Sequence, residues 1–572
     1  MKHALIKCAG ALVPSSLQAT RWDVQESVSH HGPRANLNLR IESPSHALLT
    51  SVENRAADLV RIASYVYAAD QLVRRGGEGD VYGDDWERDF TLCLPVNDPG
   101  FWTDREVKQP LQDVLRFASG DRWDFHFWRA APDEQQLSFD LEPSTALGEP
   151  DAVHLFSGGI DSLCAIVEAA AKNGRSPLLV GHSPAFHIAS RQRSLARALS
   201  QRFRPRWHFP YLSVAIHRAQ SDAREYTQRT RSFLYAALGA VVADRLSVTE
   251  VTLADNGVVA INLPINDQLL GTKASRSTHP KFLRLFNDFV QLVLPGRPQL
   301  VNPLWSRTRA EGLQALNEAN VADLLEETNS CSHPRYLTAM RPHCGVCYQC
   351  IDRRFATLAA DLEEYDPPER YDVDIFRGPL SDGPSLTMAV SYERFAREVA
   401  SLTGEEMFAR FPELYDCLLA TDPGQRDTAL ALTSMLQRHG IGVLRVIEEQ
   451  FGRLRHELAW QQLPPTALLR LVAGPTEVEA LALSARQDSF SHSEDYTHVR
   501  LRGYEYTLTE PQSSVVRILD EAFDRGAPDV RWVKIVAVIP TSPPSMRDVF
   551  KTVPNWSNLV VSLRRGTYRI NR

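Results

Sequence analysis

No apolar run in the 572-residue chain approaches the roughly 20 residues that a membrane-spanning helix needs. Lys2 and a short apolar run at residues 8–13, preceded by Lys7 and closed by Pro14, are too little for a secretory signal. A dominant charge is also missing. The 63 basic and 70 acidic residues leave a net charge of −7, so the chain carries no overall nucleic-acid signature. Cysteine is scarce: of eight, Cys8, Cys93, Cys164 and Cys417 are scattered, which argues against a disulfide framework in a chain this long. These absences lead us to expect a cytoplasmic protein with no membrane partner, and the length suggests about three domains.

What is present is local. Ala152-Val153-His154-Leu155-Phe156 leads straight into Ser157-Gly158-Gly159-Ile160-Asp161-Ser162, and Leu163-Cys164-Ala165-Ile166-Val167 follows. A strand that ends in a glycine turn and opens a helix aims backbone N–H groups and the positive end of a helix dipole at one point, which suits a phosphate. The two glycines let the backbone approach an anion and take dihedrals that other residues resist. Asp161 and Ser162 can hold Mg²⁺ or an outer phosphate oxygen. The loop has neither the Gly-Lys-Ser/Thr ending of a P-loop nor the spacing of a dinucleotide loop. A glycine turn with Asp161 in the first helical turn is the plainer alternative. The string S-G-G-x-D-S resembles the pyrophosphate loop of the ATP-pyrophosphatase (PP-loop) superfamily, whose members split ATP between its α and β phosphates to adenylate a substrate.

From residue 151, apolar runs at 177–181, 209–216 and 251–254 alternate with helical periods at 188–201 and 227–246. That is the pattern of a doubly wound parallel sheet with ligands outside the carboxyl ends of its strands. Gly181-His182-Ser183, after the second strand, would lie near an adenine. Upstream, alternating segments at 90–95 and 123–128 and a helical interval at 52–73 predict a small α+β domain, with 131–150 as a linker. Residues 391–472 read as helical. Near the C-terminus a helix opened by Thr509-Glu510-Pro511-Gln512, a second at 546–551, and a hairpin of 559–563 with 566–570 around Arg564-Arg565 resemble a winged helix-turn-helix. Residues 500–572 hold twelve basic and seven acidic residues, a net +5. That charge suits contact with DNA or an acidic protein, and a module for protein contact or dimerisation fits equally.

Cys344-Gly345-Val346-Cys347-Tyr348-Gln349-Cys350 sets three thiols three residues apart, with Cys331 upstream in Thr328-Asn329-Ser330-Cys331. Four thiolates in one short region satisfy a closed tetrahedral Zn²⁺ site. His333 and His343 are near enough to take the fourth position instead, and a C-x-x-C redox pair is the alternative reading.

Together the loop, the C-G-x-C-x-x-C knuckle, the upstream T-x-S-C and Arg353-Arg354 behind the knuckle resemble the 7-cyano-7-deazaguanine synthases, the QueC family. The resemblance covers about residues 151–364, little more than a third of the chain. It implies an α/β fold with a doubly wound parallel sheet of the PP-loop, HUP-like type and a zinc knuckle over 151–370. Around it would lie an N-terminal α+β domain at 1–150, a helical region at 371–475 and a winged-helix-like domain at 476–572. It also implies ATP and Mg²⁺ at Ser157, Gly158, Gly159, Ile160, Asp161, Ser162 and His182, and Zn²⁺ on Cys331, Cys344, Cys347 and Cys350. The activity implied is adenylation of the carboxylate of 7-carboxy-7-deazaguanine. Arg229-Thr230-Arg231-Ser232-Phe233-Leu234 resembles the family's R-N-x-x-F-L helix, where an arginine faces the nucleotide, and both Arg229 and Arg231 are candidates. The deazapurine pocket would draw on Asp255, Asn256 and His279, with Lys281 as a further cation, although Asp-Asn-Gly is also an ordinary turn. The segment at 255–264 and Ser277-Thr278-His279-Pro280 depart from the synthases' Y-P-D-C-R segment. They resemble instead the divergent QueC-like proteins of bacterial anti-phage systems, among them the Qat system and one class of CBASS. That leaves the nucleophile open: ammonia would give the amide and then the nitrile, whereas an amine of a protein from the same operon would give a deazaguanine–protein amide.

The chemistry is coherent by itself. Adenylation turns a poor electrophile into a mixed anhydride with a good leaving group. The α phosphate must be held in line, and the charge spreading onto pyrophosphate neutralised. Loop amides, Mg²⁺ near Asp161, and Arg229 or Arg231 can supply this. A zinc with four sulfurs has no open position and serves folding. Two other functions fit the same motifs. A PP-loop thiolation enzyme acting on tRNA would need a free cysteine facing the loop, where only Cys164 is near. An ATP-sensing, DNA-binding regulator would act through Arg547, Lys551 and Arg564 without turnover.

Overall fold

Two parallel sheets organise the first 472 residues. The structure is a computed structural model, and it describes residues 2–29, 36–42, 48–49, 54–75, 87–131, 140–141, 150–171, 174–182, 186–204, 206–218, 225, 228–265, 276–332, 338, 340–380, 384–421, 426–473, 490–501, 504–525, 528–537, 539, 543–553, 556–564 and 566–571. The larger sheet has six strands in the order Gln299–Val301, Glu250–Thr252, Val153–Leu155, Leu178–His182, Tyr211–Arg218, Leu37–Glu42. Neighbours are parallel except the last pair, where Val214 faces Ile41 and Ile216 faces Leu39 in antiparallel register. Val153–Leu155 and Leu178–His182 are buried throughout, as strands covered on both faces must be. From Val153–Leu155 the chain first adds strands on one side and later on the other, so the strand order reverses there. Such a reversal opens a crevice beyond the carboxyl ends of the strands.

The second sheet contains Val24–Val28, Lys2–Cys8, Arg88–Val96 and Arg122–Arg129 in that order, all parallel. Between the two sheets runs the helix Asn54–Leu72, buried on every face from Ala56 onward. It contacts strands of both sheets as well as the helix Arg231–Arg245. One hydrophobic core joins Ile6, Val60, Phe90, Leu155, Val214, Phe233 and Phe286. Residue 150 is therefore not a seam: residues 1–472 form one compact unit, and Leu37–Glu42 completes the larger sheet. Most of the stretch expected as a linker lies outside the described residues, and Asp140–Leu141 pairs with Leu48–Leu49. The helices Pro384–Ser401, Gly404–Arg410, Glu413–Thr421 and Arg426–Arg453 belong to the same unit. They share cores with the knuckle helix Tyr348–Ala359 (Ile351, Phe355, Tyr392, Val446) and with the short helix Gly257–Ile261 (Val258, Phe395, Met435).

Residues 473–572 form a second unit. It holds an antiparallel sheet of Phe490–His492, His498–Leu501 and Tyr504–Thr507, which the sequence reading did not predict. The helix Glu510–Asp524 follows, started by a capping box between Thr509 and Gln512. Two short helices, Trp532–Val536 and Met546–Phe550, precede the hairpin of Val560–Arg564 with Thr567–Ile570, to which Val530–Arg531 adds a third strand. Val499, Val516, Leu519, Ile535, Phe550 and Val560 form its core. Among the described residues of the chain no helix is long and apolar enough to cross a membrane.

Candidate functional site

The strand Val153–Leu155 delivers the chain to the point of strand-order reversal, where the N–H of Phe156 donates to the Val180 carbonyl (2.7 Å). Gly158 then takes φ +79°, and a Cβ there would meet Gln192 Cγ at 3.2 Å. The positive φ favours glycine, and the close Gln192 side chain leaves little room for anything larger. The Ser157 hydroxyl accepts from the Gly159 N–H (3.2 Å) and lies 3.3 Å from the Ser162 hydroxyl, which donates to the Gly159 carbonyl (3.0 Å). The helix Ile160–Ala171 begins here, and the N–H groups of its first turn have no acceptor within the helix. Ser157 is exposed and the two glycines half-exposed.

Gln192, on the helix Phe186–Phe203, braces this loop. Its amide donates to the carbonyls of Phe156 (3.1 Å) and Ser157 (3.0 Å) and accepts from the Tyr211 hydroxyl (2.8 Å). On the other side the Asn329 N–H donates to the Gly158 carbonyl (3.1 Å). The T-N-S-C segment is thus a wall of the loop as well as the source of Cys331.

Asp161 is not open to a metal. Arg309, the first residue of the helix Arg309–Glu318, grips it through Nε to Oδ1 (3.2 Å) and Nη2 to Oδ2 (2.8 Å). The Asn256 amide donates to the same carboxylate at 3.2 Å. Arg309 also pairs through Nη1 with Asp352 (2.7 Å), which accepts from the Tyr392 hydroxyl at 2.8 Å. All of this is buried. The expectation that Asp161 holds Mg²⁺ is corrected accordingly: both oxygens are occupied by donors and an arginine already balances the charge. Nothing in the sequence picks Arg309 from 63 basic residues. Only the Thr308-x-x-Glu311 capping box shows that a helix starts there.

Asp255 lies in the same cluster. Burial first, and then the charge of Asp161, push its carboxyl up to about 7, while the Thr278 hydroxyl donates to it (2.9 Å). Asn256 also caps the helix Gly257–Ile261, accepting from the Val259 N–H (3.3 Å). Asn256 is therefore both the ordinary turn residue and a neighbour of the loop. The remaining predicted pocket residues do not join them. His279 caps the helix Pro280–Val293 by accepting from the Lys281 N–H (3.1 Å), and its Nε2 lies 3.3 Å from Cys417 Sγ. Burial pushes its imidazole down to about 4. Lys281 pairs with Asp416 (2.7 Å). A helix cap and a lateral ion pair account for both residues.

The two candidate arginines separate. Arg229 is buried, donates to the Ser119 carbonyl (3.3 Å), and is pushed down to about 9 by burial and by the charge of Arg75. It belongs to the buried network of Asp70, Arg75, Arg88 and Asp121, where Asp70 also accepts from the N–H and hydroxyl of Thr230 (3.0 Å each). Arg231 is half-buried. Burial pushes the phenols of Tyr67 and Tyr235 up, and the Arg231 guanidinium is the chief charge opposing it. Tyr235 in turn donates to Val180 (3.0 Å), the residue that receives Phe156. Of the pair, Arg231 is the one whose charge acts on Tyr235, the residue bonded to the strand next to the one that leads into the loop. The His182 ring is wholly buried, with Nε2 2.9 Å from the Ile216 carbonyl, so it packs inside the sheet. Cys164 is buried too, its thiol pushed up by burial and then by Asp161.

The knuckle residues converge. The sulfurs of Cys331, Cys344, Cys347 and Cys350 all lie within 4.8 Å of one another, close enough to hold a metal ion such as zinc, and an all-thiolate set is the donor chemistry of structural zinc. Gly345 has φ +80°, and a Cβ would lie 1.9 Å from the Val373 carbonyl oxygen, so the turn between the first two thiols admits only glycine. His343 is not in the set: buried, its ring packs against Tyr371 (centroids 5.1 Å apart). His333 lies outside the described residues. Arg353 fastens the cluster to the loop wall, donating to the Thr328 hydroxyl (2.7 Å) and Asp366 (2.8 Å).

Comparison with protein-family models, with curated proteins and with solved structures finds no match to this chain.

Proposed function

We propose that the loop at residues 157–162 binds the phosphates of ATP, and that the chain adenylates the carboxylate of a 7-deazapurine acid, 7-carboxy-7-deazaguanine, for transfer to an amine. One observation carries this reading. The S-G-G-x-D-S string opens at the carboxyl end of the strand about which the strand order reverses, and its wall is the segment that supplies Cys331 to the thiol cluster. In the reaction a substrate carboxylate oxygen attacks the α phosphorus, the bond to the α–β bridging oxygen breaks, and pyrophosphate leaves. The amine then attacks the acyl carbon and expels AMP. First-turn amides and the helix dipole face the phosphates, and Arg231 balances charge spreading onto pyrophosphate. Arg309 acts indirectly, by fixing Asp161 and with it the first helical turn. Magnesium accompanies ATP and neutralises its phosphates, and Asp161 does not fit as its ligand. Zinc on the four cysteines serves folding.

The PP-loop fold and the defence setting rest on the resemblance, and the cytoplasmic location on the sequence's composition. The second unit, with its helices followed by a hairpin, supports a winged-helix-like module for contact with DNA or a partner protein. The buried Cys164 disfavours thiolation. The test is pyrophosphate release from ATP and Mg²⁺ with and without 7-carboxy-7-deazaguanine, followed by mass spectrometry after ammonium is added. Release that depends on the deazaguanine and yields a nitrile establishes the synthase. Dependence without a nitrile points to a protein amine as acceptor. Release indifferent to the deazaguanine overturns the substrate.

A further inference from the structure

The four-stranded sheet takes no part in the proposed reaction, yet it is parallel, and parallel sheets open their ligand crevices beyond the carboxyl ends of the strands. A cleft of about 1020 Å³ lies there. Asn97 and Asp98, which follow the strand Arg88–Val96, form part of its wall, with Arg129, the last residue of the strand Arg122–Arg129. Arg55 enters from the first turn of the helix Asn54–Leu72, and Arg297 from the turn after Pro280–Val293.

Three guanidiniums thus face one carboxylate. Asp98 pairs with Arg55 at 3.3 Å, which neutralises that pair. Arg129 has a 3.4 Å contact with the Asn97 carbonyl and no carboxylate among the described residues. The Arg297 side chain has no hydrogen bond or ion pair among the described residues, and its backbone stands at φ +47°. A residue with a side chain adopts that conformation rarely, and functional sites are where such strain collects. Two positive charges are left over. Beneath them the floor is fixed: buried Asp58 accepts the N–H groups of Asn97 (2.8 Å), Asp98 (3.2 Å) and the Trp102 indole (3.0 Å), and Arg61 donates to it (3.0 Å). The Arg55 guanidinium carbon lies over the Phe101 ring, 3.9 Å from its centroid. Arg55 and Arg129 stand on a helix and a strand, as a recognition site requires, and Arg297 on the turn beside them.

We propose that this cleft is a second binding site, for a small anion with two or more phosphate groups, of the size of a nucleoside di- or triphosphate. Guanidinium forks match phosphate oxygens, and pockets of about 300–1,000 Å³ hold small ligands. A chain with net charge −7 exerts no long-range pull on an extended nucleic acid, which favours a compact anion over a polymer. The site uses nothing from the loop at 157–162, so it stands or falls independently of the adenylation reading.

The test is calorimetric titration of the full chain with ATP and with inorganic tripolyphosphate, on the wild type and on R129Q/R297Q. Both side chains are exposed, so the variant should unfold at the wild-type temperature. We expect two ATP sites in the wild type and one in the variant, with tripolyphosphate affinity at the lost site down at least tenfold. One site in the wild type and none in the variant would uphold the cleft and sink the loop as an ATP site. Equal stoichiometry and affinity in both proteins would overturn the cleft. So would binding of a 12-nucleotide single-stranded DNA, abolished in the variant, when neither small polyphosphate binds.

Discussion

Arg309 is shared by two buried carboxylates, Asp161 and Asp352, with a third, Asp255, close by. Removing the guanidinium would leave those charges without a cation in a site closed to water, a loss worth about 3–5 kcal/mol. R309M should therefore lower stability by about that amount in urea unfolding at pH 7. The deficit should shrink as pH falls, because the stranded carboxylates can then take up protons. In the wild type Asp255 titrates in the opposite sense to an ordinary paired acid. Its folded pKa is raised from 3.8 to about 7, so between these values the folded state holds a proton that the unfolded state has released. Stability contributed by this group is full below about pH 4 and declines as pH rises toward 7. D255N can keep the Thr278 hydrogen bond and should flatten that slope, and an unchanged slope would remove Asp255 as its source. Asp161 was legible from its motif, but its partner lies 148 positions away and no local pattern announces it. That distance is why a metal ligand was expected where an arginine stands.

At the scale of elements, the knuckle illustrates what spacing can and cannot decide. Three thiols at three-residue intervals, with Gly345 between the first two, define a turn that needs no other information. The fourth ligand is a question of tertiary placement, because Cys331, His333 and His343 are all near in sequence. The fold brings Cys331 to the other sulfurs and buries His343 against Tyr371. Cys331 also ends the segment whose Asn329 holds the Gly158 carbonyl, so the cluster and the loop share one piece of chain. Elemental analysis should find one zinc per chain. C350S should lose it, with a fall in unfolding temperature and faster proteolysis near residue 340, because metal-binding free energy in such a site is folding free energy. Retention of full zinc by C350S would reject the four-sulfur site. The helix at 257–261 was hidden for a related reason: Asp-Asn-Gly reads as a turn, and only the Asn256 cap reveals a helix beginning there.

For the whole molecule, the change of pattern near residue 150 reads as a domain boundary, yet the core crosses it. Local periodicity correctly anticipated the strands at 88–96 and 122–129 and the helix at 54–72. It could not say what they pack against. The strand Leu37–Glu42 pairs with Tyr211–Arg218, a register set by contacts far apart in sequence. The uninterrupted burial of that helix from Ala56 to Leu72 makes sense only if both sheets cover it. A chain limited to residues 151–472 would lose that strand and helix and expose Phe233, Leu234, Val241, Phe286 and Phe289, all now buried. At about 1.5–3 kcal/mol for each large apolar side chain, the loss rivals the whole net stability of a typical domain, about 5–15 kcal/mol. The chain 1–472 keeps the whole first unit and should unfold in one cooperative transition with its zinc retained. The chain 151–472 should be insoluble or lack a cooperative transition in calorimetry. If it instead remains monomeric and melts cooperatively at the temperature of the chain 1–472, the N-terminal region is an appendage and the shared core contributes nothing to folding.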